Sequence, residues 1–247
     1  MIYVRVAVVM LGAGALRAFL HPVVSPEVLR IEVHGLAAYL EVVGGLYSII
    51  VAFLIYVVWD QFNRVQTGMA REAAALEDLC RASTFLSDRE SASRVRSAAK
   101  SYARATAADE PGRLAAGKGS VVAHAAFGAL GQAPREAAVQ TEKDQAAYAE
   151  VLGALRRVND ARDERLSVSV SRIPDTLWSM VVFGATLVVA GFLVLDVGWT
   201  PLSVGVAAAV AGILTFILSV MRDMDNPFTG VWNVSYAALT DTAARIA

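Results

Sequence analysis

The sequence is short of most of what builds chemistry. Its one cysteine, Cys80, cannot close an internal disulfide, and its three histidines, His21, His34 and His124, stand too far apart for metal-ligand spacing. These shortages exclude a disulfide scaffold and a zinc site, and no cofactor is implied. Charge is scarce too: 18% of the 247 residues are charged, and 22 basic against 23 acidic side chains leave a formal net charge of −1. Such a chain has no overall field to draw nucleic acid or a strongly acidic partner. What it has in excess is apolar surface, since 56% of its residues are hydrophobic, too many for an ordinary soluble domain. The composition implies an integral membrane protein whose first partner is the lipid bilayer.

The charge that exists is local. Seventeen basic and sixteen acidic residues fall between Asp60 and Asp175, so residues 60–175 read as a water-exposed helical domain. Ahead of it, residues 35–59 are apolar with a single carboxylate, Glu41. Roughly 20 apolar residues suffice to cross a bilayer. Trp59 stands where an interfacial aromatic would anchor the end of this span. Residues 177–195 and 202–221 read as two further spans, joined by a tight turn at Asp196, Gly198 and Pro201, with residues 222–247 as a tail. Residues 1–20 hold a shorter apolar run between Arg5 and Arg17. A signal peptide, an interfacial helix and a short span with both arginines snorkelling all fit it. His21 to His34, with Pro22 and Pro26, reads as a loop. Arg64, Arg71, Arg162, Arg165 and Arg172 flank the spans, which by the positive-inside rule puts the large domain and C-terminus in the cytoplasm, most simply of a bacterial inner membrane.

Within the polar segment, Val65, Met69, Leu76, Leu79, Cys80 and Ser83 recur at helical spacing, leaving Arg71, Glu72, Glu77 and Asp78 for other faces. Cys80 on this stripe reads as a packing residue. Ser87 and Glu90 have capping-box spacing and open a second helix, with Val95, Ala98, Tyr102 and Ala105 on one face and its end at Pro111 and Gly112. A short apolar helix follows from Val121 to Leu130. From Pro134 to Arg172 one long helix is expected, its stripe of Val151, Leu155, Val158, Leu166 and Ile173 interrupted by Asn159 and Arg162. These two face a solvated edge, another subunit or a polar cavity. Pro174 kinks that helix or starts the next.

Four phrases, GGLYSIIVAFLIYVVWDQF (Gly44 to Phe62), REAAALEDLCR (Arg71 to Arg81), ARDERLSVSVSRIPDTLW (Ala161 to Trp178) and DNPFTG (Asp225 to Gly230), resemble the bestrophin-like domain proteins over roughly residues 38–235. One departure is at Asp109-Glu110-Pro111, read as a loop, where the family tends to carry a Trp between the acid and the Pro. The resemblance implies an all-α integral membrane protein with about four transmembrane helices and a cytoplasmic helical domain inserted between the second and third. The family's name further implies an oligomeric ion channel.

The nearest approach to a nucleotide motif is Gly112 followed by Gly117-Lys118-Gly119-Ser120, which lacks both the preceding strand and the metal-binding hydroxyl of a P-loop, so a flexible linker is the plainer reading. No nucleophile with its base and no catalytic carboxylate pair is visible, and an enzyme is not expected. Glu41 is the charged residue that asks most for an explanation: it reads as a pore-mouth carboxylate or as a side chain reaching headgroup water. Asp60 and Arg64 at the other end pose the same choice between pore or gate and solvated face. Gly44 and Gly45 fit a hinge or close helix packing, and Gly205 with Ala209 and Ala208 with Gly212 are small-xxx-small pairs for packing in lipid. Asn226 to Gly230 is a docking turn or a chain reversal. A homo-oligomeric channel and an accessory membrane subunit that binds a partner complex through its helical domain are the two functions the sequence supports.

Overall fold

A computed structural model describes residues 2–20, 26–137, 139–194 and 201–246, and every regular element among them is helical. The elements are α1 (Ile2–Leu20), α2 (Pro26–Ser83), α3 (Arg89–Ala115), α4 (Val121–Gln132) with a 3-10 turn (Ala133–Glu136), α5 (Glu142–Ser169), α6 (Asp175–Val194), α7 (Pro201–Asp225) and α8 (Ala237–Arg245). Four of them, α1, α2, α6 and α7, contain stretches long and apolar enough to cross a membrane. The expected turn at Asp196 and Gly198, and the loop residues His21 to Ser25, lie outside the described residues.

The chain divides into two compact units. The first comprises residues 1–59 and 173–225. Here α1 lies along α7, with Tyr3 and Phe216 rings 6.5 Å apart. The apolar run of α2 packs on α6 and α7 through Tyr47, Val51, Leu54, Val181, Ala185, Val188 and Met221. Small residues set the approach. A Cβ at Gly184 would come within 2.5 Å of the Tyr47 ring, one at Gly212 within 2.6 Å of Met10, and one at Gly191 would overlap Leu40. Gly44, Gly45 and Gly205 have no described atom within 4 Å of where a side chain would begin, and Ala209 is exposed, so none of them marks a close approach among the described residues. Arg17 does not snorkel: it is buried and donates to the Leu193 carbonyl at the end of α6.

The second unit comprises residues 60–172 and 226–247. The polar continuation of α2 supplies Val65, Met69, Leu76 and Leu79, α3 supplies Val95, Ala99 and Tyr102, α4 Leu130, α5 Val151, Ala154 and Val158, and α8 Leu239 and Ala243 to one core. Cys80 is buried among them, and burial pushes its thiol up to about 11. The chain expected as a tail is thus part of this core. Thr242 and Arg245 of α8 both donate to the Glu77 carboxylate of α2, which holds that carboxyl below the usual range.

Several boundaries differ from the sequence reading, each for a local reason. The helix of the main span begins at Pro26, because proline is well suited to a first helical position, where no N–H is needed. The cap of α3 is Asp88, whose carboxylate accepts from the Glu90 N–H, in place of Ser87. Pro111 does not end α3, which runs one more turn and closes at Gly117 (φ +68°), with Lys118 and Gly117 N–H groups bonding the Arg113 and Leu114 carbonyls. The supposed phosphate loop is therefore a helix C-cap, and its Ser120 is the N-cap of α4. The long helix expected from Pro134 begins at Glu142, behind a Thr141–Asp144 capping box. Pro174 starts α6, its carbonyl accepting from Leu177 and Trp178.

Because the Tyr47 ring has no slack against Gly184, Gly184→Val is expected to lower the thermal midpoint of the detergent-solubilised protein. Gly12→Val, with nothing within 4 Å, should leave it nearly unchanged in the same thermal-shift assay.

Candidate functional site

Two places concentrate polar groups where apolar ones would be expected, one in each unit. In the first unit the span of α2 is three-faced. Leu40, Tyr47, Val51, Leu54 and Val58 are buried against its neighbours. Tyr39, Val42, Leu46, Ile49, Phe53 and Tyr56 make a bulky exposed face. Between these two lie Glu41, Gly45, Ser48 and Ala52, recurring at three- and four-residue spacing, all exposed and all small or polar. Ser48 satisfies its hydroxyl locally, on the Gly45 carbonyl at 2.7 Å. Asp60 and Arg64, expected at the other end, pair with each other across one helical turn at 2.7 Å, with the Arg64 side chain 66% and the Asp60 side chain 40% exposed.

In the second unit the Arg165 guanidinium, wholly buried, lies between two buried carboxylates. Its Nε donates to Glu72 Oε2 at 2.5 Å and its Nη1 to Glu110 Oε2 at 2.6 Å. Nη2 reaches both, at 3.4 Å and 3.3 Å. Tyr102 donates its hydroxyl to Glu72, and Ser169 closes the backbone side on the Arg165 carbonyl at 2.6 Å. Glu72 and Arg165 are 0% exposed and Glu110 is 1% exposed. Gly68 makes room for this crossing, since a Cβ there would come within 3.1 Å of Arg165 Cβ.

A second cation stands close by. Arg162 is buried with its guanidinium 4.8 Å from the centre of the Phe127 ring, and Phe127 in turn lies 5.4 Å from Tyr102. Of the readings the sequence left open for this position, the solvated edge is excluded. Burial raises the Glu110 carboxyl, against the opposing pull of Arg165. Burial also raises the Tyr102 and Tyr236 phenols, while the two carboxylates hold Arg165 above its ordinary value against desolvation.

In the sequence Glu72 reads as lying off the apolar stripe, Glu110 as part of a loop and Arg165 as a basic residue near the next span, whereas all three are buried together. A signal was present. Glu72 falls in step with Val65, Met69, Leu76 and Leu79; Glu110 with Tyr102, Thr106 and Leu114; and Arg165 with Val158, Arg162 and Ser169. Polarity hid positions that periodicity marked.

The phrase from Asp225 to Gly230 also carries specific contacts. In the first unit Asp225, buried, accepts from the Ile173 N–H at 2.8 Å. In the second, Asn226 donates to the Ala115 carbonyl at the end of α3 at 3.2 Å and accepts from Arg172 at 3.4 Å. Phe228 joins the core there. Asn226 therefore satisfies a carbonyl that the helix terminus leaves open, which a plain chain reversal would not do. No group of three His, Cys, Asp or Glu among the described residues has the geometry to hold a metal ion.

Removing Arg165 alone would leave two carboxylates buried without a counter-charge. Arg165→Met is expected to destabilise the protein by about 3–5 kcal/mol in chemical denaturation. Glu110 adds a pH dependence of definite sign. Because its folded-state pKa lies above the unfolded value, the stability it contributes is full in acid and is lost as pH rises through the raised value. Denaturation midpoints followed across that window should fall with pH in the wild type and flatten in Glu110→Gln.

No curated protein and no solved structure matches the chain. The family described as Bestrophin-like domain matches residues 6–239, a range that takes in the four apolar helices almost entirely, the α2 stripe, the buried Glu72–Arg165–Glu110 group and the Asn226 turn. The chain therefore belongs to the bestrophin-like domain family of membrane proteins.

Proposed function

We propose that the protein is one subunit of a homo-oligomeric ion channel in which the Glu41, Gly45, Ser48 and Ala52 face of α2 borders the permeation path. The observation that carries this reading is the segregation of that face. A carboxylate, a hydroxyl and small side chains line one exposed strip of a helix that is otherwise bulky and apolar, and lipid gives no reason for such a strip. Family membership is compatible with it. One strip cannot enclose a path, so the reading requires several copies, and a ring of Glu41 carboxylates would favour cations. Asp60 and Arg64 neutralise each other and add little to selectivity. Gly44, Gly205 and Ala209, open in the single chain, would serve packing between subunits. The positions of Arg64, Arg71 and Arg172 support a bacterial inner-membrane setting with the second unit and the C-terminus in the cytoplasm.

A second reading, an accessory subunit bound to a partner complex, is favoured by Val121 and Val122, which stand 80% and 53% exposed at the start of α4. Reconstitution separates the two. Purified protein in planar bilayers is expected to pass cations, and Glu41→Gln to move the reversal potential in a salt gradient toward zero. A sealed assembly without current that leaves native membranes with stoichiometric partners would overturn the channel and favour the accessory role.

A further inference from the structure

Within the second unit, α3 is charged unevenly along its length. At its start Arg94 is held by Glu90 at 2.9 Å, and near its end Arg113 lies 3.9 Å from Asp109, both pairs spaced one turn apart with opposite signs. Between them the pattern reverses. Arg96, Lys100 and Arg104 follow each other at four-residue intervals, three cations along about 12 Å of helix. Like charges at this spacing repel and weaken a helix. Among the described residues none of the three has a hydrogen bond or ion pair, and α3's own acids are engaged elsewhere: Glu90 with Arg94, Asp109 with Ser120, Glu110 with Arg165. Asp241 on neighbouring α8 forms no ion pair with them either.

The three cations also border concave surface where α3 meets α8. Arg96 and Lys100 line a recess of about 200 Å³ together with Ser93, Ser97 and Ile246. Arg104 lines a second, of about 500 Å³, together with Ala107, Ala108, Thr240, Ala243 and Ala244. Hydroxyl donors and unpaired cations around a hollow are what a multiply charged oxyanion needs, and small alanines leave the hollow open.

We infer that the α3–α8 groove is a binding site for a molecule carrying two or more phosphate groups, held by Arg96, Lys100 and Arg104 with Ser93 and Ser97 donating. The three cations are spaced for a chain of charges, and a single small anion would leave two of them uncompensated. The phosphates can be those of a soluble oligophosphate or of a polyphosphorylated lipid headgroup, which present the same oxygens. This site is independent of whether the protein conducts ions.

The test uses the full-length protein in detergent micelles, with inorganic tripolyphosphate as the soluble probe in a calorimetric titration. Vesicles of phosphatidylcholine, with or without a bisphosphorylated phosphoinositide, are the lipid probe in a flotation assay. Wild type is expected to bind at least one probe with strong salt dependence. Arg96→Gln/Lys100→Gln should weaken that binding about tenfold or more. Arg104→Gln is a second variant if the first is poorly folded. Lys143→Gln/Arg156→Gln, which removes two exposed cations on α5, should bind as wild type does. Tripolyphosphate binding without vesicle capture assigns a soluble ligand, and capture that tripolyphosphate does not relieve assigns a headgroup. Absence of binding to both probes, or an equal loss in the α5 control, overturns the proposal.

Discussion

A single guanidinium between two carboxylates governs how the second unit is put together. Arg165 on α5 reaches Glu72 on α2 and Glu110 on α3, so three helices must meet at one point with the planar fork facing both acids. The energetic meaning of such a group is asymmetric. Taking charges out of water costs about as much as their attraction returns, so an apolar core of equal volume would be no less stable, whereas loss of one member is severe. What the group imposes is register. Leucines and alanines pack acceptably when a helix slides by a turn, but a bidentate pair does not. The neighbours fit this role: Gly68 admits the α5 backbone, Tyr102 uses a remaining acceptor on Glu72, and Arg162 offsets the second negative charge from its seat on Phe127.

The first unit is held by a different logic. Its buried side chains are nearly all apolar, and in lipid there is little hydrophobic drive to bring such helices together. Shape replaces it. Gly184 seats the Tyr47 ring, Gly191 seats Leu40 and Gly212 seats Met10, each a place where one added methyl would displace the side chain seated there. Among the described residues the two polar exceptions sit at helix ends, Arg17 on the Leu193 carbonyl and Asp225 on the Ile173 amide, where backbone groups lack helical partners.

Much of the architecture was legible because its signals are long. The apolar runs of α2, α6 and α7 each exceed what a soluble helix needs, and the stripe from Val65 to Ser83 repeats over several turns. What was lost was lost to short signals read with too much weight on residue type. Pro111 and Gly112 look like a stop, yet a proline whose neighbours are pinned by Glu110 and Leu114 in the core stays helical. Glu72 reads as off the stripe and Arg165 as a basic residue beside a span, because charged residues are rarely buried, although periodicity places both inside. The α2 strip was harder to see. Glu41 stood out in the sequence, but Ser48 and Ala52 acquire meaning only once Leu40, Tyr47 and Leu54 are known to point the other way. The α3 cations could not be read at all without knowing which acids were already taken.

The second unit is discontinuous in the chain, with α8 separated from α2, α3 and α5 by two helices of the other unit. Leu239, Ala243 and Ile246 nevertheless belong to its core. A ribosome working at about 5–20 residues per second takes roughly 4–15 s to go from Arg172 to the last residues. Throughout that interval the bed of α8 on α3 is bare and α6 and α7 are being made. Completion of the second unit is thereby tied to completion of the first, and Glu77 finds Thr242 and Arg245 only in a chain in which α6 and α7 have already been made.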